Sequence, residues 1–564
     1  MVALAGAMIA SRAEAQSFQP LVAPLPSQVI PRNIAPLPPS QTAPLLHKPD
    51  ALAQAEPVDP SLAVDSGDVQ IDGAFSQMAD VNAKLVAAIA HRHVPLAQLY
   101  AAARMLEQAY ARRGYILARV VIPPQRLEPG ATVKVLVIDG FVEAVDVSHL
   151  AVATRVSVSA RLQPLVGKRH VTQAAIERAL LLAGDLAGAR LRSAIAPGNS
   201  TGAVRLVVEG EFTRVEGQIG TDNSLPSSLG RWQFTGNFAL NAPLGRGDQL
   251  YVSLGSQADV GRYGFPKSAL GMIGVGYAIP VDDHGTTLTG ELLNSRTQPA
   301  MQAGVPQSVG EFTRGLVRLS IAAIRTRSEV LRIGSEFNII TQSEKFPQFQ
   351  FQVSRDHYLA WRTSVNWQHN PGPAALSFNA VLSQGLGGRE VSAALPSSRQ
   401  GAAADFTNFE ATAHGTFPLP SGFALDLTTR GKTGFGRPQF VPEQFALDAA
   451  NGVSSFPGGS FNVDSGVSSR AELNYPPLRL GRRLAIAPYL FGDGGWGWVV
   501  RPTIAEQGYV TAGSAGLGGR AYLWPLWFAA GSEATVSVEL GKQFSNVAGR
   551  TNGRRASLTA AVKF

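Results

Sequence analysis

The chain has 564 residues, with 58 glycines, 37 prolines and no cysteine, which removes disulfide frames, thiolate metal sites and thiol chemistry together. Lys and Arg number 49 against 41 Asp and Glu, and the net charge of +8 is spread without a concentrated basic patch, which argues against nucleic-acid binding. Mean hydropathy is +0.04, yet no run approaches the roughly 18 apolar residues of a spanning helix. A large soluble core or a membrane barrel of alternating strands remains.

Residues 1–15 read as a signal peptide: an apolar run from Val2 to Ala10 precedes the small-residue cleavage pattern Ala13-Glu14-Ala15. The basic segment that normally opens such a peptide is missing, which leaves the true start open. Residues 16–67 form a Pro-rich tether, with 11 of the 37 prolines between 17 and 60. Proline fixes φ and cannot donate a backbone hydrogen bond, so an extended spacer is expected ahead of a ligand for a partner's aromatic groove.

Two small modules follow, 68–148 and 149–212. In the first, Val69–Phe75 alternates as a strand, and Leu96, Leu99, Tyr100, Ala103, Leu106 and Tyr110 share one helical face. That helix stops at Arg112-Arg113-Gly114, and strands are predicted at Tyr115–Ile122, Val133–Ile138 and Phe141–Val147. In the second, Thr172 caps a helix over Gln173–Ala183, with strands at Leu191–Ile195 and Ala203–Val208. Sheet edges of such units can accept an extended peptide as an added strand.

From 213 to 564 alternation replaces helical spacing. Trp232, Phe234, Phe238 and Leu240 oppose Arg231, Gln233, Thr235 and Asn237; Leu359, Trp361, Val365 and Trp367 oppose Arg362, Ser364, Asn366 and Gln368. Phe409, Ala411, Ala413 and Phe417 likewise oppose Glu410, Thr412, His414 and Thr416. About sixteen strands fit, at 22 residues per strand and connection, and Leu558, Ala560, Val562 and the terminal Phe564 face one way. A greasy face opposed by a wet one suits a closed barrel in a bilayer, whose strands need roughly 9–11 residues to cross.

The pieces together resemble the outer-membrane transporters of two-partner secretion, the haemolysin secretion/activation (ShlB/FhaC/HecB) family. Tyr110–Tyr115 with Ile122-Pro123-Pro124-Gln125 is similar to the family's first polypeptide-transport-associated (POTRA) domain, and Leu180–Gly188 to its second. Thr221-Asp222-Asn223 and Asn241–Asp248 resemble its early strands and first periplasmic turn. The resemblance implies a transmembrane antiparallel β-barrel of about sixteen strands preceded by two α+β POTRA-like periplasmic domains. Its expected place is the outer membrane of a Gram-negative bacterium.

Two motifs bear on mechanism. Phe491-Gly492-Asp493-Gly494-Gly495 matches the family's Phe-x-Asp-x-Gly pattern, and parity sets Tyr489, Phe491 and Asp493 on the luminal face; Phe491, Asp493 and Gly495 are the implied loop anchor. The stretch 435–466 resembles the loop that folds back into the pore, with Val453, Ser454, Ser455 and Phe456 at its tip. The family tip reads Val-Arg-Gly followed by Tyr or Phe, so the arginine is absent here, and Asp448-Ala449 replaces an expected glycine pair. Asp493 then needs water, a hydroxyl of Ser454 or Ser455, or another arginine, with Arg437 a candidate by proximity in sequence alone. If none of these holds the loop firmly, channel recordings should show frequent large openings, and Ser454→Arg should quiet them. The resemblance also makes Phe564 an insertion signal for the barrel assembly machinery.

No catalysis, cofactor or metal is expected. His91-Arg92-His93 has no carboxylate near it in sequence, Asp282-Asp283-His284 reads as a barrel turn, and no nucleophile elbow or phosphate loop is present. The expected function is a pore that captures an unfolded exported polypeptide in the periplasm and passes it outward, with outer-membrane lipid as its surroundings. An assembly factor for other outer-membrane proteins, or a small-solute channel with docking modules, are the alternatives.

Overall fold

The computed structural model describes residues 24–31, 34–35, 62–126, 128–258, 268–300, 306–388, 396–448, 452–504, 506–524, 532–549 and 552–564. The signal segment 1–15 and most of the proposed tether lie outside the described residues.

The first α+β unit carries a four-stranded sheet in the order His93–Pro95, Ala63–Asp72, Ala131–Ile138, Arg119–Val121. Its first strand opens at Ala63, inside the span read as tether. The helices Ala79–Ile89 and Leu96–Arg112 cover one face. Leu99, Ala103, Leu106 and Tyr110, spaced along a single stripe, pack on Val133, Val135 and Val137, which alternate inward along their strand. Tyr110 lies at the centre: its hydroxyl donates to Asn82 Oδ1 at 3.2 Å and accepts the Phe75 amide at 3.2 Å. The strand predicted over Tyr115–Ile122 shrinks to Arg119–Val121, because Tyr115 closes the preceding helix through a bond to the Tyr110 carbonyl.

The second unit holds three strands in the order Phe141–Asp146, Ala203–Phe212, Ala189–Pro197, backed by helices Val152–Leu162 and Gln173–Gly184. Here one expectation is corrected: Phe141–Asp146 pairs in parallel with Ala203–Phe212, so it belongs to this sheet and not to the first unit. The break lies at Asp139-Gly140, where Gly140 approaches the Leu117 backbone. Thr172 caps the second helix, its Oγ1 accepting the Ala175 amide at 3.3 Å.

Sixteen long strands, from Val215–Asp222 to Asn552–Lys563, close into one antiparallel barrel, joined by the two-residue pairing of Leu478–Arg479 at its rim. Closure is made by Asn552–Lys563 against Val215–Asp222, and Phe564 exchanges both backbone hydrogen bonds with Gly217 at 2.9 Å. A closed ladder leaves no edge to be satisfied in hydrocarbon. Side chains such as Phe337, Ile339, Trp361, Leu490, Leu517 and Leu540 stand exposed on the outer wall, as lipid contact demands. Among the described residues no helix is long and apolar enough to cross a membrane. Asp282-Asp283-His284 forms the turn between the strands Leu270–Pro280 and Thr286–Thr297, with Asp282 accepting the His284 and Thr286 amides.

Candidate functional site: the obstructed lumen

The barrel strands Ala424–Thr433 and Ser465–Asn474 are joined by a loop that turns inward. Its stem is a short antiparallel pair, Phe445–Ala446 with Asn462–Val463, and its Phe445, Leu447, Val453, Phe456, Phe461 and Val463 bury together against the wall residues Val499, Val510 and Ala512. Carboxylates hold the stem to the wall. Glu443 accepts from Tyr358 OH at 2.8 Å and Arg362 at 2.6 Å, and Asp464 accepts the Gln439 and Val500 amides at 3.0 and 2.7 Å. Asp448, standing where a glycine was expected, accepts the Gly459 amide at 3.3 Å and the Phe461 amide, so it closes the inner turn of the loop. Ala449 lies outside the described residues.

At the tip, Val453, Ser455 and Phe456 are buried. Ser454 donates from both its amide and its hydroxyl to Asp493 Oδ2, at 3.2 and 2.9 Å. Asp493 lies on the strand Leu484–Trp498, its side chain fully enclosed, and Tyr489, Phe491 and Gly495 face the same way while Leu490, Trp496 and Trp498 stand outward. Ser514 donates to the other oxygen, Oδ1. Phe491 packs under a guanidinium at 4.4 Å, and Gly495 leaves room for Leu447, which would lie 3.3 Å from an added Cβ.

The cation beside Asp493 is Arg470. Arg470 and Asp493 are direct cross-strand partners, and Arg470 Nη1 donates to Asp493 Oδ2 at 3.1 Å and also reaches the Ser454 hydroxyl. Its remaining donors go to Glu472 at 2.8 Å and Glu539 at 2.7 Å. Arg520 joins from the next strand, 2.6 Å from Glu472 and 4.1 Å above the Tyr489 ring. A charge-assisted network this enclosed is costly to break, because any member removed strands another charge. Of the partners open to Asp493, both a serine hydroxyl, that of Ser454, and another arginine, Arg470 on the barrel wall, are used. Arg437 takes no part in it and meets the exposed Asp405 at 3.5 Å. The tip fits tightly on its far side too: a Cβ at Gly541 would lie 1.9 Å from Ser455 Oγ, and Gln543 donates to the Ser455 carbonyl.

A second obstruction enters from the N-terminal side. Pro26–Val29 forms one helical turn that packs on the strands Thr286–Thr297 and Val309–Arg325. Thr297 donates to the Pro24 carbonyl at 3.1 Å, Leu25 is buried, and Ile34 joins Tyr251, Met272, Leu293 and Phe312 in an inner apolar cluster. This part of the proline-rich segment is thus lodged in the lumen and not an extended spacer. Proline at the first helical position suits the turn, and apolar residues between the prolines supply its grip.

Below, the second α+β unit docks on the barrel rim. Asp185, at the C-terminal cap of Gln173–Gly184, takes Arg325 at 2.7 and 2.9 Å and Arg332 at 2.8 Å. A carboxylate at that helix end opposes the dipole, and two guanidiniums offset it. Arg178 donates to the Ala322 carbonyl at 2.8 Å, and Ser157 to the Gly245 carbonyl at 3.2 Å. Phe564 lies at this same rim, its ring 6.4 Å from that of Phe238. The histidines of the first unit do have carboxylate neighbours, which the folded strand pairing supplies: His93 with Asp65 at 2.6 Å and His91 with Asp68 at 3.1 Å, all exposed.

A family model described as haemolysin secretion/activation protein ShlB/FhaC/HecB matches residues 201–519, and the ShlB-type POTRA domain model matches residues 66–140. The heme/hemopexin transporter protein HuxB of Haemophilus influenzae (strain 86-028NP) is 24% identical over 165 residues, 29% of this chain and 29% of HuxB. The outer membrane transporter CdiB of Escherichia coli is 26% identical over 221 residues, 39% of this chain and 37% of CdiB. The aligned part thus spans between 29% and 37% of these curated relatives. Among solved structures, CdiB from Escherichia coli superposes with a TM-score of 0.70 at 17% identity, covering 91% of this chain and 92% of that one. CdiB from Acinetobacter baumannii gives 0.61 at 15%, covering 94% and 95%. Both likenesses show the fold. The family match over residues 201–519 takes in more than half of the chain, and the protein belongs to the haemolysin secretion/activation family, ShlB/FhaC/HecB.

Proposed function

We propose that this barrel is a secretion pore: its two α+β units collect an unfolded exported polypeptide in the periplasm, and the lumen passes it to the cell surface. The carrying observation is a sixteen-stranded barrel whose lumen holds two pieces of its own chain, the described part of the loop 435–466 and residues 24–31 and 34–35, above the docked second unit. A polypeptide needs a broad polar path once these pieces move, and a resting cell needs that path closed. Directionality comes from capture below and folding above, since the periplasm offers no nucleotide.

The loop tip Val453–Phe456 and the anchor Phe491, Asp493 and Gly495 act in this reading as the closure, with Phe564 as the insertion signal for the assembly machinery. The reading includes no catalytic step. A small-solute channel fits less well, because a lumen this occupied would pass solutes poorly. The test compares surface and extracellular proteins with and without this gene, and with residues 63–212 deleted. A large polypeptide should be lost in both mutants while the deleted form still migrates as a heat-modifiable barrel. Unchanged export after the deletion overturns the proposal.

A further inference from the structure

Arg161 differs from the other buried cations of the lumen. It sits near the end of the helix Val152–Leu162, is only 7% exposed, and lines a cavity of about 640 Å³ at the base of the barrel. Among the described residues it has no hydrogen-bond or ion-pair partner, and its Nε is fully enclosed without an acceptor. Asp185 lines the same cavity, but its two oxygens are committed to Arg325 and Arg332, which also line it. Glu216, Glu336, Glu410 and Glu443 line the same cavity, yet none of them pairs with Arg161, and Asp185 is already taken by two guanidiniums.

A guanidinium keeps its charge throughout the physiological range, and an enclosed one with no counter-ion is unfavourable. Burial lowers the Arg161 pKa, against the more distant fields of Asp185, Asp282 and Asp283. Asp282 is itself occupied by the His284 and Thr286 amides, and Asp283 lies on the same turn. Arg161 thus presents a forked donor that nothing among the described residues satisfies. Leu182 and Leu186 line the cavity with it. Such a site takes a planar oxyanion with an apolar stem, which describes an acidic side chain better than a free tetrahedral anion.

We propose that Arg161 receives the carboxylate of an Asp or Glu side chain on a polypeptide entering the lumen from the periplasm. This rests on the secretion reading and adds a charge class to the segment first engaged. The Arg325–Asp185–Arg332 cluster raises the local positive potential, and Arg161, which has no ion pair of its own among the described residues, meets the incoming group.

The test uses the full chain in detergent micelles and a fluorescein-labelled oligoglutamate peptide, followed by anisotropy. Arg161→Gln should weaken binding roughly tenfold, equivalent to about 1.4 kcal/mol. Arg161→Lys should recover most of it, and oligolysine should not bind. Equal affinity of wild type and Arg161→Gln, both heat-modifiable, overturns the site. Displacement of the peptide by inorganic phosphate as readily as by glutamate peptides overturns the side-chain assignment in favour of a general oxyanion pocket. If Arg161→Gln does not fold, phenylglyoxal adducts mapped on the wild type decide: oligoglutamate should protect Arg161, and unchanged modification refutes the proposal. Export is scored separately. Intact export with no binding difference rejects Arg161 alone, whereas peptide binding in a protein that exports nothing rejects the secretion reading.

Discussion

The two ends of the lumen use arginine in opposite ways. Around the loop tip, Arg470 and Arg520 serve three carboxylates, Asp493, Glu472 and Glu539, so both guanidiniums are ion-paired and the shortfall is met by the hydroxyls of Ser454 and Ser514. At the periplasmic base, Asp185 is taken by Arg325 and Arg332, and Arg161 has no ion-pair partner among the described residues. Saturated charge fixes a closure, because opening it strands buried ions. Surplus charge makes a place for something else to bind. The lumen is thus short of cations where it closes and rich in them where a chain would enter.

The sharpest way to break this contrast is Arg470→Ala. Losing the shared cation leaves Asp493, Glu472 and Glu539 enclosed together, and removal of one partner of a buried pair costs about 3–5 kcal/mol. Planar-bilayer recordings should show frequent large openings absent from the wild type, and the tip should become a protease target. The family position of the arginine supplies the control: in an Arg470→Ser background, Ser454→Arg should restore quiet traces by returning the cation from the loop side. Ser454→Arg alone should instead disturb the closure, since it removes the hydroxyl that donates to Asp493 and accepts from Arg470, and sets a second guanidinium beside Arg470. Quiet traces from Arg470→Ala would show that the apolar packing of the loop suffices without the charge network.

Asp185→Asn probes the opposite end. Its expected cost sits at the low edge of about 3–5 kcal/mol, because the amide oxygen still accepts one guanidinium. Hydrogen exchange in the helix Gln173–Gly184 should quicken as the second unit loosens from the rim. Oligoglutamate should bind more tightly than to wild type, since further guanidinium donors are freed. Weaker binding would mean that Asp185 helps to build the anion site and does not merely compete for it.

Much of this architecture is legible in the residue order, and most of the exceptions depend on partners distant in sequence. Alternation marks the barrel, and parity alone sets Asp493 inward, since both depend on neighbours in sequence. The partner of Asp493 depends on strand register: Arg470 lies directly across from it, 23 residues away, on a strand whose Ser468, Arg470 and Glu472 share its inner face. That polar face is the available signal in the sequence. The helix Val152–Leu162 was missed because its valines, serines and threonine have weak helix propensity. Phe141–Asp146 changes sheets because its parallel partner begins only at Ala203. Leu25, Pro26 and Ile34 show that proline content says little of location: they are buried by a lumen that local sequence cannot reveal.

A smaller effect is expected from Gly541→Ala. The added methyl would meet Ser455 Oγ at 1.9 Å and Phe491 at 3.2 Å, and overpacking of this sort costs about 1–3 kcal/mol. The serine hydroxyl can swing aside, so large openings should appear less often than in Arg470→Ala, and Ser455→Gly in the same chain should suppress them. If the double variant opens as often as the single one, the contact with Ser455 is not what seats the tip.

The smallest change, Thr172→Ala, separates folding of the second unit from its two charge sites. The Thr172 hydroxyl accepts the Ala175 amide at the start of the helix whose far end carries Asp185. Losing an N-cap costs about 1 kcal/mol, felt within the first turn, so exchange of the amides at 173–176 should rise roughly fivefold. The last turn is held independently by Arg325 and Arg332, and Arg161 belongs to a different helix. Oligoglutamate affinity and channel openings should therefore both match the wild type. A change in affinity here would mean that the cation cluster at the base is positioned by the whole helix and not by its ion pairs, and the distinction between a sealed upper site and an open lower one would then rest on packing as much as on charge.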